Sequence, residues 1–294
     1  MRTSIAVTNF SWPGEKPIEN ELARTAALAD ESGIDTMFLS DHLVQAEPGV
    51  DPGEPMLEAY TALGYLAART RRVRLGTMVT AVTMRPPALL VKAVTTLDVL
   101  SAGRAWLGVG AGYHQEEADG QGLRLPPTAE RFEWLEDTLE LARRVWSGDE
   151  TAFDGRRFSA AHPISSPSPC TSPHPPILVG GTGETKTLRL VARYGDACNL
   201  PDMPDGGELI RRKLSVLAAH CAAEGRSLDQ LDKTVSTRLQ PGQSIDAFVD
   251  RAAALGELGI DHLVVHTQGP WTSASMATLA TAVPDIAQIP TTTG

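Results

Sequence analysis

Apolar residues follow two alternating patterns along the chain. Short runs rich in β-branched residues are separated by longer stretches in which apolar positions recur every three or four residues. The short runs occupy residues 4–10 (SIAVTNF), 36–42 (TMFLSDH), 73–80 (VRLGTMVT), 104–112 (RAWLGVGAG), 176–181 (PILVGG), 197–200 (ACNL), 234–239 (TVSTRL) and 262–268 (HLVVHTQ). Because they are continuously apolar rather than alternating, they fit strands buried on both faces, as in a parallel sheet. The intervening segments at 17–32, 57–69, 87–100, 127–146, 184–194, 207–224, 245–258 and 273–286 read as amphipathic helices. Pro87 and Pro127 suit first helical turns, where a missing N–H costs nothing. Gly33 follows the first helix as a C-terminal cap.

Eight strand-then-helix units predict an α/β fold, a single (β/α)8 TIM barrel over residues 1–290 with a disordered tail at 291–294. A doubly wound open sheet would carry GxGxxG after its first strand. Here that strand runs into Asn9-Phe10-Ser11-Trp12-Pro13-Gly14. One stretch, 148–175, is irregular, with Asp154-Gly155 followed by Pro163, Pro167, Pro169, Pro173 and Pro175. It is too long for an ordinary connection. It reads as an insertion before the fifth strand, lying over the top of the barrel.

Charge narrows the choice of partner. The formal net charge is −10, from 36 acidic and 26 basic side chains, with no long run of either sign. That balance speaks against nucleic acid and anionic membrane as partners. An anionic ligand would have to be held by local devices. Cys170, Cys198 and Cys221 match no metal or CxxC spacing and read as free thiols of a reducing cytoplasm. Neither a signal-peptide pattern nor an apolar stretch of membrane-spanning length occurs.

In a barrel, chemistry collects at the C-terminal ends of the strands. The second strand ends in Ser40-Asp41-His42, an acid beside an imidazole. The pair suits proton transfer or ligand orientation, or else a capped loop and a polar surface histidine. The third ends in Gly76-Thr77-Met78-Val79-Thr80, strand turning into pocket wall. The fourth offers Gly108, Gly110 and Gly112, where a flat ligand could approach bare backbone, followed by Tyr113, His114 and Glu117. The fifth leads into Gly180-Gly181-Thr182-Gly183-Glu184-Thr185-Lys186, a glycine loop opening a helix. Such a loop presents N–H groups to an anion, and Lys186 could add a full charge. It is not a Walker loop.

Other residues read as structural. His162 and His174 lack partners at ligand spacing, so no metal site is expected. His262 and His266 are four apart, read as a helix-face spacing, and stay outside the site. Trp106, Trp134 and Trp146 read as packing residues, and no GxSxG elbow is present.

Four joined segments resemble the bacterial luciferase-like flavin superfamily and, within it, the coenzyme F420 (deazaflavin)-dependent oxidoreductases. They are GIDTMFLSDHL, the run RVRLGTMVTAVTMRPPALLVKAVTTLDVLSAGRAWLGVGAGYHQEE, ERFEWLEDTLELARRVWSGDETAFDGRRF, and PPILVGGTGETKTLRLVARYGDACNL, within about residues 5–265. The resemblance implies hydride transfer between F420 and a small organic substrate by a homodimeric enzyme. It places Asp41 and His42 beside the deazaflavin ring, with His42, or failing it His114, moving the proton. It implies a non-proline cis peptide at Met78-Val79, a ring wall at Gly112 and Tyr113, and a phosphate cradle at Gly180, Gly181 and Thr182. Reduction of an imine or activated alkene is the favoured direction, and an alcohol would make the same site a dehydrogenase. Deazaflavin-dependent sugar-phosphate dehydrogenases have glutamate where this chain has Tyr113, which argues against a sugar phosphate. Two other readings stand beside this one: an FMN-dependent monooxygenase, and a non-catalytic cofactor-binding protein.

Overall fold

The strand-like runs pair side by side, all in parallel, around a closed ring. The structure, a computed structural model, describes residues 1–14 and 16–291. The expected tail at 291–294 lies outside the described residues apart from Thr291. Chain order runs β1 (Arg2–Val7), α1 (Ile18–Glu31), β2 (Thr36–Leu39), α2 (Ala59–Arg69), β3 (Arg74–Thr77), β4 (Thr80–Ala81), α3 (Pro87–Leu100) and β5 (Leu107–Gly110). Then come α4 (Gln115–Gly120), α5 (Thr128–Trp146), β6 (Phe153–Asp154), β7 (Ser159–Ala160), β8 (Ile177–Gly180) and α6 (Thr187–Tyr194). The chain finishes with β9 (Ala197–Pro201), α7 (Glu208–Ala223), β10 (Asp232–Arg238), α8 (Ile245–Glu257), β11 (His262–His266) and α9 (Ser273–Ala287).

The main sheet has nine strands in the order β3-β2-β1-β11-β10-β9-β8-β5-β4. A bridge between Leu75 of β3 and Ala105, just before β5, closes it. Since β3 and β4 are two pieces of one stave, the ring is the expected (β/α)8 TIM barrel. Registers such as Ile5 opposite Met37 and Ser4 opposite Val264 place each strand between two parallel neighbours.

Apolar residues divide by face. One cluster fills the barrel interior: Ala6, Phe38, Trp106, Leu178, Ala197 and Val264, with Met78 and Val79 packed on it. Phe38 and Trp106 meet edge to face at 6.0 Å. The larger cluster lies between strands and helices and includes Trp146, with Trp134 packed against it. This two-faced burial is why the strands read as continuous apolar runs. Gly33, with φ of +80°, follows α1 as expected. Pro87 opens α3, whereas Pro127 sits one residue ahead of α5 as its cap.

At the end where the strands begin, Arg2, Asp35, Asp232 and His262 form a polar cluster. Burial alone would push the Asp232 carboxyl up, but His262 and Arg2 outweigh it and hold it at about 2. A carboxyl depressed in this way contributes stability above its unfolded value near 4, lost as pH falls through about 2. Asp232→Asn is therefore expected to lower unfolding free energy at neutral pH by about 2 kcal/mol. Urea titrations between pH 7 and 2 would check this, because the wild-type advantage should shrink only at the acid end.

The insertion at 148–175 does not lie over the top of the barrel, as its sequence suggested. None of its residues lines the cavity described below. It leaves the end of α5 and enters the start of β8, and such helix-to-strand connections emerge on the opposite, N-terminal face. Nor is it wholly irregular, since β6 and β7 pair as a small antiparallel hairpin. Two buried aspartates hold it down. Asp137 on α5 accepts the amides of Arg156, Arg157 and Phe158. Asp98 on α3 accepts those of Cys170 and Thr171.

Candidate active site

The C-terminal strand ends surround a cavity of about 900 Å³, a size suited to a cofactor together with a small substrate. Its lining draws on Thr8 after β1, His42 after β2, Val79 between β3 and β4, Gly112 after β5, Gly181 after β8, Asn199 in β9, Ser236 in β10 and His266 in β11. The barrel's inner core surfaces as its floor at Ala6, Met78 and Val79.

The third stave breaks at a cis peptide between Met78 and Val79. The Val79 side chain projects toward the neighbouring staves. A Cβ on Gly180 would lie 2.8 Å from a Val79 methyl, and one on Gly110 would lie 3.0 Å away. Both positions therefore present bare backbone to the cavity. Gly112 adds a φ of +78°, and a Cβ there would meet Ala81 at 3.0 Å. The Arg131 guanidinium donates to the Gly112 carbonyl and fixes this wall to α5.

Asp41 lines the cavity, yet its carboxylate is engaged from behind. Oδ2 accepts from Thr80 Oγ1 and Arg85 Nη1, each at 2.6 Å, and Oδ1 accepts from Arg85 Nη2 at 3.0 Å. Arg85 in turn reaches Glu58 and stacks over Tyr60. Burial, then the Asp41 charge, pushes the Tyr60 hydroxyl up to about 12. Asp41 thus anchors the end of β2, which carries His42.

His42 Nδ1 lies 2.7 Å from Glu117 Oε2 on α4, and the Leu43 amide donates to Oε1 of the same carboxylate at 2.5 Å. Burial would raise the Glu117 carboxyl, but hydrogen bonds from His42, Leu43 and Val44 win and hold it below its ordinary value. His114 caps α4, its Nδ1 accepting from the Glu117 amide at 3.1 Å. The His42 and His114 rings sit 5.8 Å apart, and Tyr113 approaches His42 edge-on at 6.1 Å. All four residues line the cavity.

The glycine loop after β8 differs from expectation in two places. Thr182 is not among the lining residues, whereas Thr187 is. Helix α6 starts at Thr187, not at Glu184, so the three intervening residues form a turn that brings Thr187 back beneath Gly181 and Gly183. Lys186 points away and lies over the Phe132 ring at 5.2 Å. Positive charge reaches the cavity from Arg124 and Arg238 instead.

The histidines of β11 also divide. His262 is buried at the start of the strand, 2.5 Å from Ser4 Oγ. His266 lines the cavity at the other end, and burial, then Arg238, pushes its imidazole down. Strand residues i and i+4 share a face just as helix residues do, and that rule places His266 at a strand end. Glu117, singled out in the sequence with Tyr113 and His114, lies beyond the strand end on α4, and its pairing with His42 had no signal in the sequence. Among the described residues no group of three or more His, Cys, Asp and Glu could hold a metal, and no helix is long and apolar enough to cross a membrane.

The fold is a closed parallel barrel whose C-terminal strand ends surround a cavity walled by bare glycine backbone and edged by imidazoles. The sequence profile of the luciferase-like monooxygenase family matches residues 1–285, and the chain belongs to that family. It is 31% identical over 233 residues to an F420-dependent glucose-6-phosphate dehydrogenase of Microbacterium testaceum, covering 79% of this chain and 67% of that protein. An F420-dependent secondary alcohol dehydrogenase, solved with an F420–acetone adduct, superposes with a TM-score of 0.82 at 16% identity over 97% of this chain and 99% of that one. A monooxygenase from Streptomyces bottropensis superposes with a TM-score of 0.77 at 22% identity, covering 98% of each chain. At these identities the two structural likenesses speak for the fold.

Proposed function

We propose that the protein is an F420-dependent oxidoreductase that moves a hydride between the deazaflavin and a small organic substrate. The observation that carries this reading is a single cavity joining a wall of bare backbone to an imidazole held at Nδ1. The F420-dependent curated relatives support the deazaflavin over FMN. The residues present fit such a group, because Gly110, Gly112 and Gly180 line the cavity with bare backbone, kept so by Val79 and Ala81 packed where their Cβ atoms would lie. When bound, a deazaflavin supplies or accepts a hydride, which is chemistry no side chain provides.

The chain's own residues bind, orient and handle the proton. Met78 and Val79 would support the ring from the barrel interior, with Asp41 holding the adjacent strand end and Gly112 and Tyr113 beside it. Gly180, Gly181 and Thr187, at the start of α6, would hold the phosphate, with Thr182 outside that contact. His42 Nε2 would take or give the proton that accompanies the hydride, with His114 beside it. The substrate is an imine or activated alkene to be reduced, or an alcohol to be oxidised. Tyr113 in the place of a glutamate speaks against a sugar phosphate. The reading includes a homodimer, which sedimentation of the purified protein would test.

Anaerobic titration with F420 and with FMN, followed by fluorescence, tests the cofactor. Tight F420 binding with weak FMN binding is expected. Preference for FMN, with oxygen consumed on turnover, would replace this reading with the monooxygenase. In the same titration Thr187→Val should weaken F420 binding by about tenfold, the worth of one hydrogen bond to a charged group. Thr182→Val should change it less than twofold.

A further inference from the structure

We propose that the β10–β11 edge of the cavity is a carboxylate subsite, with Arg238 as its cation and His266 as a second donor, so that the substrate is an organic acid with an apolar body. Its place over the ring rests on the F420 reading, but the preference for an anion follows from this chain alone.

The charges around the cavity leave one cation over. Four carboxylates line it, and groups of the protein engage each of them. Arg85 holds Asp41, and His42 meets Glu117. Glu47 accepts from Asn9 Nδ2 at 2.9 Å and from the Gly269 amide at 3.2 Å. Asp202 pairs with Arg251 and accepts from Thr237 Oγ1 at 2.7 Å. Of the two lining guanidinium groups, that of Arg124 pairs with Glu130 at 2.9 Å. Among the described residues, neither the Arg238 guanidinium nor the His266 ring has a hydrogen bond or ion pair.

Register puts these two side chains together. Arg238 of β10 lies opposite His266 of β11, and paired residues of neighbouring strands point to the same face, about 4.8 Å apart. That face is the cavity, which both residues line. Ser236, two residues earlier on the same face of β10, meets the Met78 sulfur of the floor at 3.8 Å. Arg238 thus stands about 6–7 Å further along the strand than this floor contact. With a flat ring lying on Met78 and Val79, Arg238 is at the level of whatever lies over the ring.

One cation suits one negative charge. A guanidinium fork matches the two oxygens of a carboxylate. Burial, then Arg238, pushes the His266 imidazole down, so near neutrality that ring adds an N–H donor without a second charge. A phosphate dianion would call for more, and no helix N-terminus supplies it at this edge. Neither the caps nor the first turns of α8 and α9 line the cavity. The staves of β4 and β5 stand across the barrel from β10 and β11, with three staves between them either way. There Met84, after β4, and Leu125, beside Gly112, give the cavity an apolar edge. An acid fits with its carboxylate at Arg238 and its apolar body reaching toward that edge.

Binding of paired ligands tests this without turnover. Benzoate, phenylacetate and hexanoate are each compared with the primary amide, which keeps the shape and loses the charge. Calorimetry gives the affinities for protein with and without F420, and the His266 ring signals, assigned with His266→Gln, locate the ligand by NMR. Acids should bind about 10–100-fold tighter than their amides, the worth of hydrogen bonds between charged groups, and should shift the His266 signals. Arg238→Gln should remove that difference, and Arg238→Lys should keep part of it, since lysine retains the charge but not the fork. Because Arg238 holds no neighbouring group, both variants should unfold at the wild-type denaturant midpoint. Acids bound no tighter than amides, or a preference that survives Arg238→Gln, would overturn the subsite. Phenyl phosphate bound more tightly than every acid, and through Arg238, would overturn the carboxylate class. A loss of F420 affinity beyond about threefold in Arg238→Gln would assign the residue to an anionic group of the cofactor and overturn its role toward substrate. If F420 itself fails to bind the wild type, the cofactor reading falls, and the acid–amide comparison on cofactor-free protein still decides the subsite.

Discussion

His42→Gln should lower kcat/KM by about 10²–10⁴-fold, the usual contribution of a positioned acid or base, while F420 affinity changes by less than about threefold. Glutamine keeps the polarity and approximate length of the imidazole, and its side-chain nitrogen can still donate to Glu117. It cannot carry a proton on and off at neutral pH. The contact it preserves is the one that joins β2 to α4, at 2.7 Å in the wild type, so the fold around the cavity should survive. The decisive comparison is between binding and turnover. If both fall together, His42 holds the cofactor rather than moving a proton. If neither falls, the proton is handled elsewhere, and His114, which lines the same cavity, becomes the first residue to replace.

Gly108→Ala should cost at least about 3 kcal/mol of stability, at the upper end of overpacking penalties. A Cβ at this position would lie 1.7 Å from the Thr77 carbonyl oxygen and 2.8 Å from its carbon. No rotamer relieves the clash, because both groups are backbone. The strands cannot part cheaply either, since Thr77 Oγ1 donates to the Gly108 carbonyl at 2.8 Å and the Leu75–Ala105 bridge closes the barrel beside it. Thr77 leads directly into Met78 and Val79, so displacement here reaches the cavity floor, and residual folded protein should also bind F420 more weakly. Gly76→Ala makes a useful comparison. Its new Cβ would meet Trp106 Cβ at 2.7 Å and the Trp106 carbonyl oxygen at 3.1 Å; the backbone fixes both, but the overlap is far smaller than at Gly108, so its cost should be smaller. Denaturant midpoints of the two variants would rank them. Near-wild-type stability for Gly108→Ala would mean that β3 and β5 do not approach as closely as the structure has them.

Much of the barrel was legible because its signals are local. Each stave is a short run buried on both faces, and each helix carries its own periodicity and punctuation, as at Gly33 and Pro87. The site was legible to the same degree. Strand ends pick out His42, Val79, Gly112 and Gly180 one at a time, and all four line one cavity. What those rules could not supply was direction beyond the strand end. Lys186 looked like part of the anion loop, but the turn ahead of α6 rotates it onto Phe132 and brings in Thr187. The insertion read as lying over the top of the barrel, yet it begins at a helix end and is tied to Asp98 and Asp137 on the outer helices.

By itself, then, the sequence determined the element order, the alternation of strand and helix, and the residues standing at each strand end. These depend on burial periodicity and backbone preference within a few residues. Tertiary structure alone decided which of those residues meet. Asp41 turned out to be bound by Arg85 from a different connection. His42 met a carboxylate 75 positions away, and His266 entered the cavity that its twin His262 does not reach. Such pairings are set when the ring of strands closes and fixes the relative height and rotation of its staves, a property of all the registers together that no single segment encodes.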